Sequence, residues 1–194
     1  MIFYKDIIKE DHPNLRKMSK DVSLPLSEKD IETLELMNEY LVNSYDEEAT
    51  AKYGIRPGVG LSAVQIDVLK RMFVIMAYDE KGDFHHYAVI NPKIISESVE
   101  LTYLKSGEGC LSVDRQVEGL IFRPRRIKAN VHLYDFKEKT ISKQQLKLKD
   151  YLAVVFQHEY DHLKGVLFVD RINKENPFLI LPNSIPVTFE NEED

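Results

Sequence analysis

The run His158-Glu159-Tyr160-Asp161-His162 constrains this chain more than any other stretch. It closes an apolar segment, Tyr151-Leu-Ala-Val-Val-Phe156, and Gly165 follows as a left-handed cap, so the pattern predicts a helix from about Asp150 to Lys164. On a helix, residues four apart stack on one face, which brings the His158 and His162 imidazoles to one point in space. Two imidazoles converging there can hold a divalent metal. Glu159 then stands beside that point as a carboxylate able to handle protons on a water. The turns before His158 are apolar nearly all round, so the helix is expected to be buried. Buried imidazoles and carboxylates need partners, and a metal with supporting hydrogen bonds supplies them.

Two histidines fall short of the three protein ligands usual at a catalytic metal. No histidine follows His162, which excludes a motif extended by a third downstream His. Glu175 and the terminal acids lie in polar, turn-like sequence. The better candidate is upstream: Cys110, the single cysteine, within Gly107-Glu108-Gly109-Cys110-Leu111-Ser112-Val113. Small residues there let the backbone approach a site closely. A lone cysteine is ordinarily a small buried hydrophobe, but the company of H-E-x-x-H favours a ligand.

Elsewhere the pattern is mixed. Ser27 with Asp30 forms a capping box, and Ile31, Leu34, Met37, Leu41 and Tyr45 recur at helical spacing, predicting an amphipathic helix of roughly 20 residues. Gly54 and Pro57 end whatever helix follows. Met72 to Ala77, Tyr87 to Ile90 and Val99 to Leu104 read as strands, the second stopping at Asn91-Pro92. Ile127 to Phe136 and Ile141 to Leu148 alternate as an antiparallel hairpin. Strands outnumber helices and alternate with them poorly, so the expected class is α+β. Antiparallel sheets would pack around a central buried helix carrying H-E-x-x-H, with a long N-terminal amphipathic helix beside them. No repeat or linker divides residues 1–194, so one domain is expected.

A net charge of −6 argues against phosphate-backbone binding. One cysteine excludes an internal disulfide and fits a reducing compartment. The first residues carry acids early and lack a leader's apolar core, and no apolar run reaches membrane-spanning length. Arg123, Arg125 and Arg126 around Pro124 read as a solvated turn. His12, His85, His86 and His132 fall outside the motifs and read as surface or structural. Gly58-Val-Gly60-Leu-Ser-Ala63 matches the dinucleotide fingerprint, but no strand precedes it and too few residues follow for a full helix, so that reading fails.

Three segments nevertheless combine: Gly58-Val-Gly-Leu-Ser-Ala-Val-Gln65, Glu108-Gly-Cys-Leu-Ser112 and Gln157-His-Glu-Tyr-Asp-His162. In order and spacing they resemble the motifs of peptide deformylases, across nearly the whole chain from Asp6 to about Asp170. The stretch Pro177 to Phe189 looks like the longer form found in many Gram-positive bacteria and their relatives. The resemblance implies a hydrolase that removes the formyl group from N-terminal formylmethionine of newly made polypeptides and releases formate, in the bacterial cytoplasm. It implies Cys110, His158 and His162 as ligands of one divalent metal, usually Fe²⁺, with Zn²⁺, Ni²⁺ or Co²⁺ able to replace it. Glu159 would be the general base and acid, and the Gln65 amide and Leu111 backbone N–H would be donors to the oxyanion. Val59 and Gly60 would border the substrate backbone, while Tyr151, Val154 and Val155 would wall the methionine pocket. Gln157 and Asp161 would act as supporting hydrogen-bond partners. The implied partners are N-formylmethionyl peptides and nascent chains, with transient ribosome contact left open, no nucleic acid, no membrane, and a monomeric enzyme. The acidic end, Glu190 to Asp194, opposes a tail-mediated contact with ribosomal RNA. One position departs from the family: Ser62 stands where alanine is usual. The two are nearly isosteric, so exchange for alanine is expected to change the rate by less than about threefold. Of two rivals, a metallopeptidase leaves Gln65 unexplained, and a purely structural metal lacks its usual fourth protein ligand.

Overall fold

The computed structural model describes residues 1–190. Most of the acidic end, from Asn191 onward, lies outside the described residues. In chain order the elements are α1 (Glu28–Ser44), α2 (Glu47–Tyr53), β1 (Gly60–Ser62), β2 (Met72–Tyr78), β3 (Phe84–Glu97), β4 (Leu101–Tyr103), β5 (Arg123–Pro124), β6 (Arg126–Asp135), β7 (Thr140–Lys149), α3 (Asp150–His162) and β8 (Ser184–Pro186), with short 3-10 turns between them. The class is α+β with antiparallel sheets.

Helix α1 starts where its capping residues dictate. The Ser27 hydroxyl accepts from the Asp30 N–H at 3.2 Å, and the Asp30 carboxylate accepts from the Ser27 N–H at 3.3 Å. Leu34, Met37, Tyr40 and Leu41 then form its buried stripe. Five strands make an antiparallel sheet in the order β1-β2-β3-β6-β7. Strand β2 is apolar at every position before Tyr78 because both of its faces are covered. Met72, Val74 and Met76 join Leu34, Met37 and Leu41 of α1 in one core. Phe73, Ile75 and Ala77 join Leu152, Ala153, Val155 and Phe156 of α3 in the other. The side-chain period of two thus divides one apolar run between two helices.

Strand β3 passes straight through Asn91-Pro92, where sequence placed its end. The register with β6 shifts between Ile90 and Lys93, and Asn91 takes a positive φ of 48°. Its amide ties the kink down, exchanging 2.8 Å bonds with the Val22 N–H and C=O. The missing proline N–H therefore makes a bulge, and pairing resumes beyond it.

A second sheet, in the order β5-β4-β8, contains the one parallel pairing among the described strands, β4 with β8. Helix α3 touches strands of both sheets. It ends near Gly165, whose φ is 72° and whose absent Cβ would collide with the Arg16 carbonyl, so only glycine closes this helix against the N-terminal segment. No helix of the described residues is long and apolar enough to cross a membrane.

Candidate active site

The last two turns of α3 deliver both histidines to the Cys110 loop. Ligand atoms of Cys110, His158 and His162 all lie within 4.8 Å of one another, and all three residues are buried in this cluster. Cys110 Sγ sits 3.3 Å from His162 Nε2. Metal–sulfur and metal–nitrogen bonds of about 2.3 and 2.1 Å at a tetrahedral angle would separate such atoms by about 3.6 Å, so the donors fit a small divalent ion. A buried thiol would ordinarily titrate high, but the imidazoles of His162 and His158 hold the Cys110 thiol well below its usual range. The donor set is thus a thiolate with two imidazoles.

His158 is oriented from behind. Its Nδ1 lies 2.8 Å from Glu108 Oε2, leaving Nε2 toward the cluster. His162 Nδ1 is buried with no partner among the described residues. Glu108 in turn receives a two-pronged contact from Arg123, with Nε to Oε1 at 2.6 Å and Nη2 to Oε2 at 2.9 Å. The third arm of Arg123 reaches Asp161 Oδ2 at 2.8 Å, and Arg171 clasps both Asp161 oxygens at 2.5 and 2.6 Å. Burial alone would raise the Glu108 carboxyl, yet Arg123 and His158 bring it down to about 2. Asp161 is likewise held low against its burial, by Arg171 and Arg123. The solvated-turn reading of Arg123 fails here: its side chain is 1% exposed. Strand β5 sets Arg123 opposite buried Thr102 of β4, which turns the guanidinium inward. Gln157 donates to the Pro124 carbonyl at 2.9 Å and so ties α3 to the same strand.

Glu159 occupies the face of α3 toward β1. It is buried, and burial raises its carboxyl against the lowering influence of the two imidazoles. A Cβ on Gly60 would overlap Glu159 Oε1 and come within 2.8 Å of Cδ, so the glycine makes room for this carboxylate. Ser62 Oγ donates to Glu159 Oε2 at 2.7 Å. Gln65 is fixed by the Ser62 backbone, whose N–H can only donate and meets Oε1 at 2.8 Å. The amide NH₂ therefore faces Ser112 Oγ at 3.1 Å and Cys110 Sγ at 3.6 Å.

One cavity of about 370 Å³ joins these parts. Cys110, His158, Glu159, Gln65, Leu111, Gly60, Val59, Tyr151, Val154 and Val155 all line it, and His162 stands behind Cys110. The structure therefore brings together every residue singled out for the site. Arg56, Leu104 and Tyr45 also line it without having been singled out, since none stands in a motif.

The family model for polypeptide deformylase matches residues 4–178. The chain belongs to the polypeptide deformylase family. It is 50% identical over 187 residues to peptide deformylase 2 of Geobacillus stearothermophilus, covering 96% of this chain and 99% of the relative. Among solved structures it is similar to the peptide deformylase from Thermotoga maritima, with TM-score 0.63 and 32% identity over 89% of this chain and 99% of that one. A deformylase from Synechococcus elongatus, solved in complex with actinonin, matches with TM-score 0.67 and 28% identity, over 87% of this chain and 80% of that one. Deformylases are metal-dependent hydrolases, and the thiolate–imidazole cluster is where this member can hold its metal.

Proposed function

We propose that the cavity hydrolyses the formamide bond of N-formylmethionyl peptides, with Cys110, His158 and His162 holding one divalent metal. One observation carries the reading: Cys110 and His158 of a three-donor cluster, and a carboxylate that is not part of it, line the same cavity, beside the free edge of a sheet. A metal bound by these donors supplies Lewis acidity, lowering the pKa of water and drawing charge from the formyl oxygen. We read Fe²⁺ as the ion used in the cell, with Zn²⁺, Ni²⁺ or Co²⁺ able to occupy the same thiolate and imidazoles.

Glu159 takes a proton from the water as its oxygen bonds to the formyl carbon. It returns that proton to the nitrogen as the C–N bond breaks, giving a free amine and formic acid, which ionises to formate. The Gln65 amide and the Leu111 backbone N–H donate to the oxygen on which negative charge develops. Strand β1 pairs only with β2 among the described strands. Val59 and Gly60 therefore offer their open side to the substrate backbone, which extends the sheet by a short addition. Tyr151, Val154 and Val155 wall the pocket for the methionine side chain, whose unbranched thioether adapts to an apolar wall.

We propose further that residues 1–194 work as one domain and as a monomer in the bacterial cytoplasm, meeting nascent chains through at most transient ribosome contact. The net charge of −6 supports the absence of nucleic-acid binding. The deciding assay supplies N-formyl-Met-Ala to metal-loaded protein. Formate should appear in step with the free amine of Met-Ala, and chelation should stop it. Release of alanine with the formyl group intact would make the protein a peptidase and overturn the reading.

A further inference from the structure

We propose that Ser62 is a positioning residue for Glu159: its hydroxyl anchors Oε2 and so assigns proton transfer to Oε1. The inference rests on the deformylase reading above and deepens it. Ser62 is fully buried at the end of β1. Its single hydroxyl proton has two acceptors within reach, Glu159 Oε2 at 2.7 Å and the Glu159 backbone carbonyl at 3.1 Å. The carboxylate oxygen is nearer and carries charge, so it takes the proton in a short, charge-assisted bond.

The side chain needs such an anchor. The last torsion of a glutamate is broad, without the sharp staggered wells of aliphatic torsions, so burial alone leaves the two oxygens free to exchange places. Around Glu159 the two oxygens meet different neighbours. Oε2 holds the Ser62 hydroxyl, while Oε1 lies against Gly60, a residue of the cavity wall whose missing Cβ leaves its space. Water's proton accordingly goes to Oε1 and leaves from Oε1 to the departing nitrogen. The Ser62 hydroxyl keeps its own proton throughout. Near-isosterism with alanine described volume, whereas the hydroxyl's partner, 97 residues away in sequence, appears only in the fold. Gln65 does not depend on this side chain, because the Ser62 backbone N–H holds it. Exchange at Ser62 therefore isolates the effect on Glu159.

The test uses metal-loaded full-length protein and Ser62→Ala. The turnover number on N-formyl-Met-Ala should fall about tenfold, the loss expected when one charge-assisted bond that orients a reacting group is removed. KM should stay within about twofold and metal content should match the parent, while the melting temperature should fall by a few degrees because a buried carboxylate loses a partner. Infrared difference spectra of the same samples should show the Glu159 carboxylate stretch, assigned by its loss in Glu159→Gln, displaced by Ser62→Ala. Turnover within twofold of the parent, or an unmoved carboxylate band, overturns the inference. A parent enzyme that releases no formate would instead sink the deformylase reading itself, so the two failures are distinguishable.

Discussion

Glu159 and Gln65 are both fixed by residues of the first motif, and changing what fixes them should produce different failures. Gly60→Ala places a methyl on the Glu159 carboxylate while leaving the donor cluster untouched. Turnover should fall by a hundredfold or more with metal content unchanged, as read by steady-state kinetics beside elemental analysis. Glu159→Ala should likewise keep its metal and lose nearly all turnover, and stoichiometric metal loss would make Glu159 a ligand instead. Gln65→Leu removes the donor to the oxyanion and should lower the turnover number by about a hundredfold with little change in KM. The structure adds a complication at this residue, because the Gln65 NH₂ also faces Cys110 Sγ and Ser112 Oγ. Metal affinity must therefore be measured in the same variant. Glu159 was marked in sequence by the H-E-x-x-H spacing, and Gln65 only through the resemblance to the deformylase motifs. Arg123 was not. Its partners lie 15 and 38 residues away, at Glu108 and Asp161, and a proline-flanked arginine triplet looks the same whether it meets water or buried carboxylates.

Elements were legible where one period ran long enough to be read. Helix α1 follows from the Ser27 box and its apolar stripe. The β6–β7 hairpin follows from alternation, and its ten paired positions from Arg126↔Lys149 to Asp135↔Thr140 run without interruption. Strand β1 was missed because three residues cannot show a period, although it supplies the sheet edge beside the cavity. Strand β3 was cut short because a proline signals an end unless tertiary contacts, here the Asn91 amide on Val22, hold a bulge in place. The two-residue strand β5 is equally silent in sequence, yet it carries Arg123 into the core. Arg123→Met should show what that placement is for. It leaves Glu108 and Asp161 buried with less positive charge around them, which typically costs about 3–5 kcal/mol of stability. It also loosens the carboxylate behind His158, for which a 10- to 100-fold loss of metal affinity is usual. Denaturant unfolding and competition with a chromogenic chelator separate the two effects. Arg123→Lys, which keeps charge without the fork, should fall between. An unchanged metal affinity in Arg123→Met would mean that Glu108 orients His158 without help.

At the scale of the whole molecule, the three donors join two bodies. His158 and His162 belong to α3, which packs on the five-stranded sheet. Cys110 belongs to the loop between β4 and β5, two strands of the smaller sheet. That smaller sheet is closed by the C-terminal segment, which lies largely beyond the span matched by the family model, residues 4–178. Strand β8 runs parallel to β4, Thr102 Oγ1 donates to the Ile185 carbonyl at 2.8 Å, and the Val187 N–H donates to the Tyr103 carbonyl at 2.9 Å. Nearer the site, the Leu120 N–H bonds the Pro177 carbonyl at 2.8 Å and the Phe189 ring packs edge-on against Tyr151 of the cavity wall. Ending the chain after Asn176 removes all of these contacts while leaving both histidines, Cys110 and the main sheet intact. The larger sheet and its two helices should then still unfold cooperatively, with a lowered melting temperature. Metal affinity should drop more sharply, because β4 loses a neighbour and the Cys110 loop must be ordered at the expense of binding. At equal free metal the truncated protein should accordingly gain less stability from the metal than the full chain, because that gain grows as RT ln(1 + [metal]/Kd); a heat-capacity change on metal binding no more negative than in the full chain would contradict ordering of the loop. Chelator competition and calorimetry on the two proteins measure both quantities. Equal affinities would make β8 a covering of the surface with no part in holding the metal centre.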